Sequence, residues 1–175
     1  NYIYAETQGG SSIRYNKKTN ERKNIQPYPL AGEPKLRWNW NSPLQVSPTN
    51  KAVLYAGSQY VYKTWNKGDS WKRISPDLTT NNPDKQKQEE SGGVTVDNSS
   101  AENHCTIFYI AESPLDTNQV WAGTDDGNLQ VTTDGGTTWT NVVKNIKGLP
   151  ANTWCSSIAP WHVHIDTVYV SFENH

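Results

Sequence analysis

The feature that most limits what this chain can fold into is an internal repeat, and a missed repeat would misassign the whole fold. Leu44-Gln45-Val46-Ser47-Pro48 falls on Ile110-Ala111-Glu112-Ser113-Pro114. Without a gap, Leu54-Tyr55-Ala56-Gly57 then falls on Val120-Trp121-Ala122-Gly123. Each copy continues through a short strand, Tyr60-Val61-Tyr62-Lys63 or Leu129-Gln130-Val131-Thr132, into a turn that ends in Trp71 or Trp139. Partial copies flank the two, Ile3-Tyr4-Ala5-Glu6 before them and Val168-Tyr169-Val170-Ser171 after them.

The aromatic of each copy stands at Tyr4, Tyr55, Trp121 and Tyr169, which gives spacings of 51, 66 and 48 residues. A four-stranded propeller blade takes roughly 40 to 50 residues, so the longest spacing is one blade with an insertion. The segment from Ser75 to Ala101 can hold it, because Asn81 to Glu90 is polar, charged and Pro-containing, with no apolar period. The other strand signals are short and rich in Val, Ile, Thr, Tyr and Trp, and no convincing amphipathic helix appears.

The expected fold is therefore all-β, a β-propeller fragment of about three to four four-stranded blades of a larger ring. Its parts are a partial blade over 1–30, a blade over 35–75, an exposed insertion loop over 76–101, a blade over 102–146 and a truncated partial blade over 150–175. Three to four blades cannot close a ring, so a fragment of a protein with roughly seven or more is expected.

Composition alone points two ways. A hydrophobic fraction of 34% and a mean hydropathy of -0.82 suggest disorder, but 8 Trp and 9 Tyr argue for a packed fold. The net charge of -1 gives no reason to expect a nucleic-acid partner. No apolar run approaches the roughly 18 residues of a membrane span, and Asn1-Tyr2-Ile3-Tyr4 is neither an initiator Met nor a signal peptide. Cys105 and Cys155 make no disulfide framework, though one bridge between them stays open, and they fit no zinc spacing with the four histidines. Asn98-Ser99-Ser100 has the form of a glycosylation acceptor but is a common triplet.

The turn Thr132-x-Asp134-x-Gly136-x-Thr138-Trp139 matches an Asp box at every defined position. Physically it is a hairpin turn in which Asp134 accepts turn amides, Gly135 and Gly136 take positive φ, and Trp139 is buried between blades. Its earlier copy, Thr64, Asn66, Gly68 and Trp71, replaces the carboxylate with an uncharged amide. A carboxylate held by turn donors is a poor acid or base, so Asp134 is expected to be structural.

With these boxes the chain resembles the BNR-repeat propellers: sialidases, xyloglucan-cleaving hydrolases, the Vps10 domain of sortilin-type receptors and a photosystem II assembly factor. Arg37-Trp38-Asn39-Trp40-Asn41-Ser42-Pro43, Ile74-Ser75-Pro76-Asp77-Leu78, Glu102-Asn103-His104-Cys105 and Gly123-Thr124-Asp125-Asp126-Gly127 are more closely similar to a group of large, exported, sortilin-like bacterial repeat proteins. Many of those bear a glycosyl-hydrolase label that describes the fold rather than an activity. The resemblance implies a secreted, cell-surface or periplasmic protein, with bacterial origin.

Propeller sites gather where loops lead into the innermost strands, here Arg37-Trp38-Asn39, Asn103-His104-Cys105 and Ala151-Asn152-Thr153. Candidate ligand-binding residues are Arg37, Trp38, Asn39, Trp40, Glu102, Asn103, His104 and Trp154, the aromatics to stack and the others to donate or carry charge. The same aromatics could instead wedge neighbouring blades. A glycosidase needs two carboxyls flanking one bond, and nothing pairs Glu102, Glu112, Asp125 or Asp126. The chain also lacks the arginines and the Arg-Ile-Pro motif of sialidases.

His162 and His164 would share one face of a strand, yet no third metal ligand is evident. Asp125-Asp126-Gly127-Asn128 reads better as a hairpin turn than as a calcium loop. No catalytic residue, cofactor or metal is assigned. The leading expectation is a non-catalytic extracytoplasmic scaffold for a protein or glycan partner. The alternatives are a glycoside hydrolase with acids partly outside this fragment, and an accessory or assembly subunit of a membrane-associated complex.

Overall fold

The computed structural model describes residues 1–87, 90 and 103–173. Four antiparallel sheets follow one another along the chain. The first holds β1 (Tyr2–Thr7), β2 (Ser11–Asn16) and β3 (Arg22–Asn24). The second holds β4 (Leu44–Val46), β5 (Leu54–Gly57), β6 (Val61–Thr64) and β7 (Lys72–Arg73). The third holds β8 (Ile107–Glu112), β9 (Val120–Thr124), β10 (Leu129–Thr132) and β11 (Thr140–Asn141), and the last pairs β12 (Trp154–Pro160) with β13 (Val168–Glu173). Strands are in sequence order within each sheet. This is the blade connectivity of a β-propeller, with β4, β8 and β12 as successive inner strands. The repeated aromatics Tyr4, Tyr55, Trp121 and Tyr169 all stand on second strands, β1, β5, β9 and β13.

The second blade is covered on its two faces by its two neighbours, which explains why β5 and β6 are buried at every position instead of alternating. Alternate residues of one strand serve opposite interfaces. Tyr55 and Val61 pack towards the third sheet with Leu78, Ile107, Ile110, Val120 and Ala122. Ala56 and Tyr62 face the other way, with Leu36 and Trp38. A third cluster of Ala111, Leu129, Cys155 and Ile158 joins the third and fourth sheets. The core is thus a set of slabs between blades, which a low mean hydropathy can still fill.

The two Trp-terminated turns have the same hydrogen-bond pattern. Asp134 Oδ1 accepts from Thr132 Oγ1 at 2.8 Å and from the Thr138 amide at 2.9 Å, and Oδ2 accepts from Thr138 Oγ1 at 2.6 Å. In the earlier copy Asn66 Oδ1 accepts from Thr64 Oγ1 at 2.7 Å and from the Ser70 amide at 3.0 Å, while its amide donates to Ser70 Oγ. The donors from Thr138 and Thr132 hold the Asp134 carboxyl down at about 2, so it is a fixed acceptor and not a proton carrier. Each closing tryptophan reaches back one blade: Trp71 Nε1 donates to Ile25 O, and Trp139 Nε1 to Ile74 O at 2.9 Å.

Gly136 explains why the second turn cannot carry a side chain there. Its φ is +102°, and a Cβ would lie 2.5 Å from Ile74 O of the preceding blade. Gly136→Ala is expected to cost about 2–3 kcal/mol in urea unfolding through strain and a displaced blade contact. A Gly148→Ala control meets open space at φ +80° and is expected to cost roughly 1 kcal/mol.

Two expectations are corrected and one open reading is decided. The insertion expected to be exposed over 76–101 begins inside the protein: Leu78 is a core residue and its carbonyl accepts from Asn128 Nδ2 and Gln130 Nε2. Only after Thr80 does the chain turn outward, into a short 3-10 turn at Pro83–Gln86. His162 and His164 do not share a strand face. They lie in the loop between β12 and β13, about the Trp161 ring, and no cluster of three metal-binding groups exists among the described residues. Cys105 and Cys155 are both free thiols, buried in different surroundings. No helix of the described residues is long and apolar enough to cross a membrane.

Candidate functional site

The two ends of the blades differ in what builds them. At one end the loops after the inner strands meet the Trp-terminated turns, as Lys67 N–H donates to Ala52 O and Gly135 N–H to Asn118 O, both at 3.0 Å. At the other end, the mouth of the channel, the connections into β4, β8 and β12 lie over the β5–β6 and β9–β10 turns. The candidate residues gather at this mouth. Glu102 and the Asn98-Ser99-Ser100 triplet lie outside the described residues.

Most of the polar candidates are committed to holding blades together. Arg37 donates through its backbone to Gln59 Oε1 at 2.8 Å, through Nε to Cys105 O at 2.9 Å, and through its guanidinium to Asp77 at 2.7 Å. Asn39 Nδ2 donates to Asp125 Oδ2 at 2.9 Å and to Thr106 Oγ1 at 3.2 Å. Asn103 Nδ2 donates to Trp38 O at 2.9 Å. Trp38 is only 7% exposed and lies flat on Gly10, where any Cβ would meet its ring. Trp38 wedges the first blade against the second, and the polar residues stitch the second to the third.

The aromatic part of the site is more open. Trp40 is 43% exposed beside the buried Asn39. Trp154 is half-buried, with Phe108 at 5.5 Å and His104 at 6.3 Å between ring centroids. Burial lowers the His104 pKa against the opposing pull of Asp126, and its Nε2 is buried with no hydrogen-bond partner among the described residues. His104 therefore presents a largely neutral ring.

The acids at this end have their oxygens occupied. Asp125 accepts from the Thr106 amide at 2.8 Å, from Thr106 Oγ1 at 2.6 Å and from Asn39. Burial pushes its carboxyl up to about 7, against those donors, and the neighbouring Asp126 adds to the rise. Asp126 accepts from Thr80 N and Oγ1 through one oxygen and from Thr124 Oγ1 through the other. Both stand in the turn after β9, where Gly127 takes φ +94°, in keeping with the expected hairpin.

Glu112 lies near the opposite end, between blades. Its Oε1 accepts from Ser47 and Thr49 at 2.7 and 2.8 Å, and its Oε2 from Tyr55 at 2.5 Å. Lys63 Nζ sits between the Tyr55 and Trp65 rings, 5.0 and 5.4 Å from their centroids, its pKa lowered by burial. The Cys105 and Cys155 thiols are pushed up by burial to about 11 and about 12, which leaves them unreactive at neutral pH.

Sequence reasoning did not find Gln59, Asp77 or Thr80 as partners, because each acts across 22 to 46 residues of chain. It also passed over Glu6, for which a signal existed: it stands in the register position where the second and third blades have Gly57 and Gly123.

Neither a known protein family nor a curated protein matches the chain. Among solved structures it is similar to the GH74 xyloglucanase from Xanthomonas campestris, with TM-score 0.56 and 22% identity over 98% of this chain and 24% of that one. The GH74 enzyme of Niastella koreensis gives 0.54 and 21%, with the same coverage. YCF48 from Cyanidioschyzon merolae gives 0.55 and 10%, over 98% of this chain and 48% of that one. The chain thus spans about a quarter of the length of the two GH74 enzymes and about half of YCF48. Identities this low speak to fold alone, and the fold they share with this chain is the β-propeller.

Proposed function

We propose that the chain is part of a non-catalytic, extracytoplasmic propeller scaffold, its Trp-terminated turns being Asp boxes of the BNR, sortilin-like kind. In this reading the mouth of the channel meets a protein or glycan partner at the cell surface, in the periplasm or outside the cell. One observation carries it: Asp125, Asp126 and Glu112 spend their oxygens on donors within their own blade and from the segments packed against it, while Trp40 stands exposed at the mouth. Acids held this way brace a rigid surface and are poorly placed to flank a scissile bond. An exposed aromatic beside a rigid rim is suited to stacking on a sugar or a peptide side chain.

The second reading, a glycoside hydrolase with acids partly outside this chain, draws support from the likeness to GH74 enzymes. Incubation with xyloglucan and its oligosaccharides separates the two. No release of reducing ends is expected, and turnover that disappears in Asp126→Asn would sink the scaffold reading. On a glycan array and in photo-crosslinking to the native cell envelope, Trp40→Ala is expected to weaken any specific capture about ten-fold, the loss of one stacked aromatic.

A further inference from the structure

Glu6 breaks the repeat. Where the second and third blades have Gly57 and Gly123 at the end of the second strand, the inner strand of the next blade closes in, so that a Cβ on either glycine would lie 3.0 Å or less from Ile107 and Ile110, or from Cys155. The first blade carries a glutamate at that position, and the space beside it is a cleft of about 280 Å³ in the channel wall. Asn41, Pro43, Gln45, Phe108, Tyr109 and Ser156 are among its lining residues with Glu6, so all four blades contribute.

Two properties of Glu6 need a physical reason. Its Oε1 is buried and has no hydrogen-bond partner among the described residues, a condition that costs about 1–3 kcal/mol for a polar group and more for a charge. Burial raises its carboxyl to about 7, opposed only by the Ser42 amide. Among the described residues no lysine, arginine or histidine lines the cleft, and Glu6 has no ion pair. A carboxyl with one orphan oxygen and no internal cation, in a cleft that Phe108 and Tyr109 also line, is complementary to a donor that carries positive charge.

We propose that the cleft beside Glu6 receives a cationic side chain of a peptide partner, a guanidinium or primary ammonium. The group donates to the Glu6 carboxyl and lies against Phe108 and Tyr109. The proposal is independent of the exposed Trp40 at the mouth, and either reading can fail without the other.

The test is a titration of the whole chain, at pH 8, with Nα-acetyl-arginine methylamide and with its lysine counterpart, followed by backbone amide shifts in NMR. Saturable shifts at Glu6, Ser42, Phe108 and Ser156 are expected. Glu6→Gln keeps the shape and removes the charge, and is expected to weaken binding at least about ten-fold. Gln45→Lys leaves Glu6 in place and adds an internal cation at an exposed cleft position, and a similar loss is expected. Absence of saturable shifts in the wild-type chain, or binding indifferent to both variants, overturns the proposal. Cellotriose binding here as tightly as the cations, and surviving Glu6→Gln, overturns it in favour of a neutral glycan.

Discussion

Glu112→Leu is expected to lower the unfolding free energy by about 3 kcal/mol in urea denaturation at neutral pH. The carboxylate accepts from Tyr55, Ser47 and Thr49 across the interface between the second and third blades. Ser47 and Thr49 can still bond each other, being 3.0 Å apart. The Tyr55 hydroxyl has no such recourse, because the residue is fully buried. Lys63 would also lose the negative charge that offsets its desolvation. The double variant Glu112→Leu/Tyr55→Phe removes donor and acceptor together and is expected to recover about 1–2 kcal/mol of the loss. Strictly additive single and double variants would show that the pair is not coupled.

The second large effect is one of pH. Burial raises the Asp125 carboxyl from 3.8 to about 7, so the folded chain holds a proton that the unfolded chain gives up at lower pH. The stabilising contribution of that proton is fully present below about pH 4 and is lost as pH rises through 7. Glu6, also raised to about 7 by burial, titrates in the same window, so the wild-type curve alone does not isolate Asp125. The difference between wild type and Asp125→Asn does. Between pH 5 and pH 8 it is expected to move on the order of 2–3 kcal/mol in favour of the asparagine variant. A difference that stays flat with pH would mean that the donors from Thr106 and Asn39 keep Asp125 ionised throughout.

Both variants act on blade interfaces, and these interfaces divide what could be read from the sequence from what could not. Strand order and blade register follow from local pattern. Tyr55-Ala56-Gly57 over Trp121-Ala122-Gly123 places the second strands, and the Thr-x-Asp-x-Gly-x-Thr-Trp spacing places a turn in which the hydrogen bonds of the Asp134 side chain are all made within seven residues. The candidate site was only partly legible. Arg37, Asn39 and Asn103 lie in the connections into β4 and β8, and the partners that tie them across the chain are 22 to 86 residues away, beyond the reach of any local pattern.

What the sequence by itself determined was therefore the all-β repeat, the blade register and the structural role of Asp134, because each depends on contacts between residues near in the chain. What only the tertiary structure decided was how each polar group spends its hydrogen bonds once blades are stacked. Stacking buried Leu78 at the start of an otherwise polar segment, gave Asp125 one donor and Glu112 its donors from the neighbouring blade, and left Glu6 with an oxygen that has none among the described residues. Desolvation is a property of the assembled interface, and no single strand carries it.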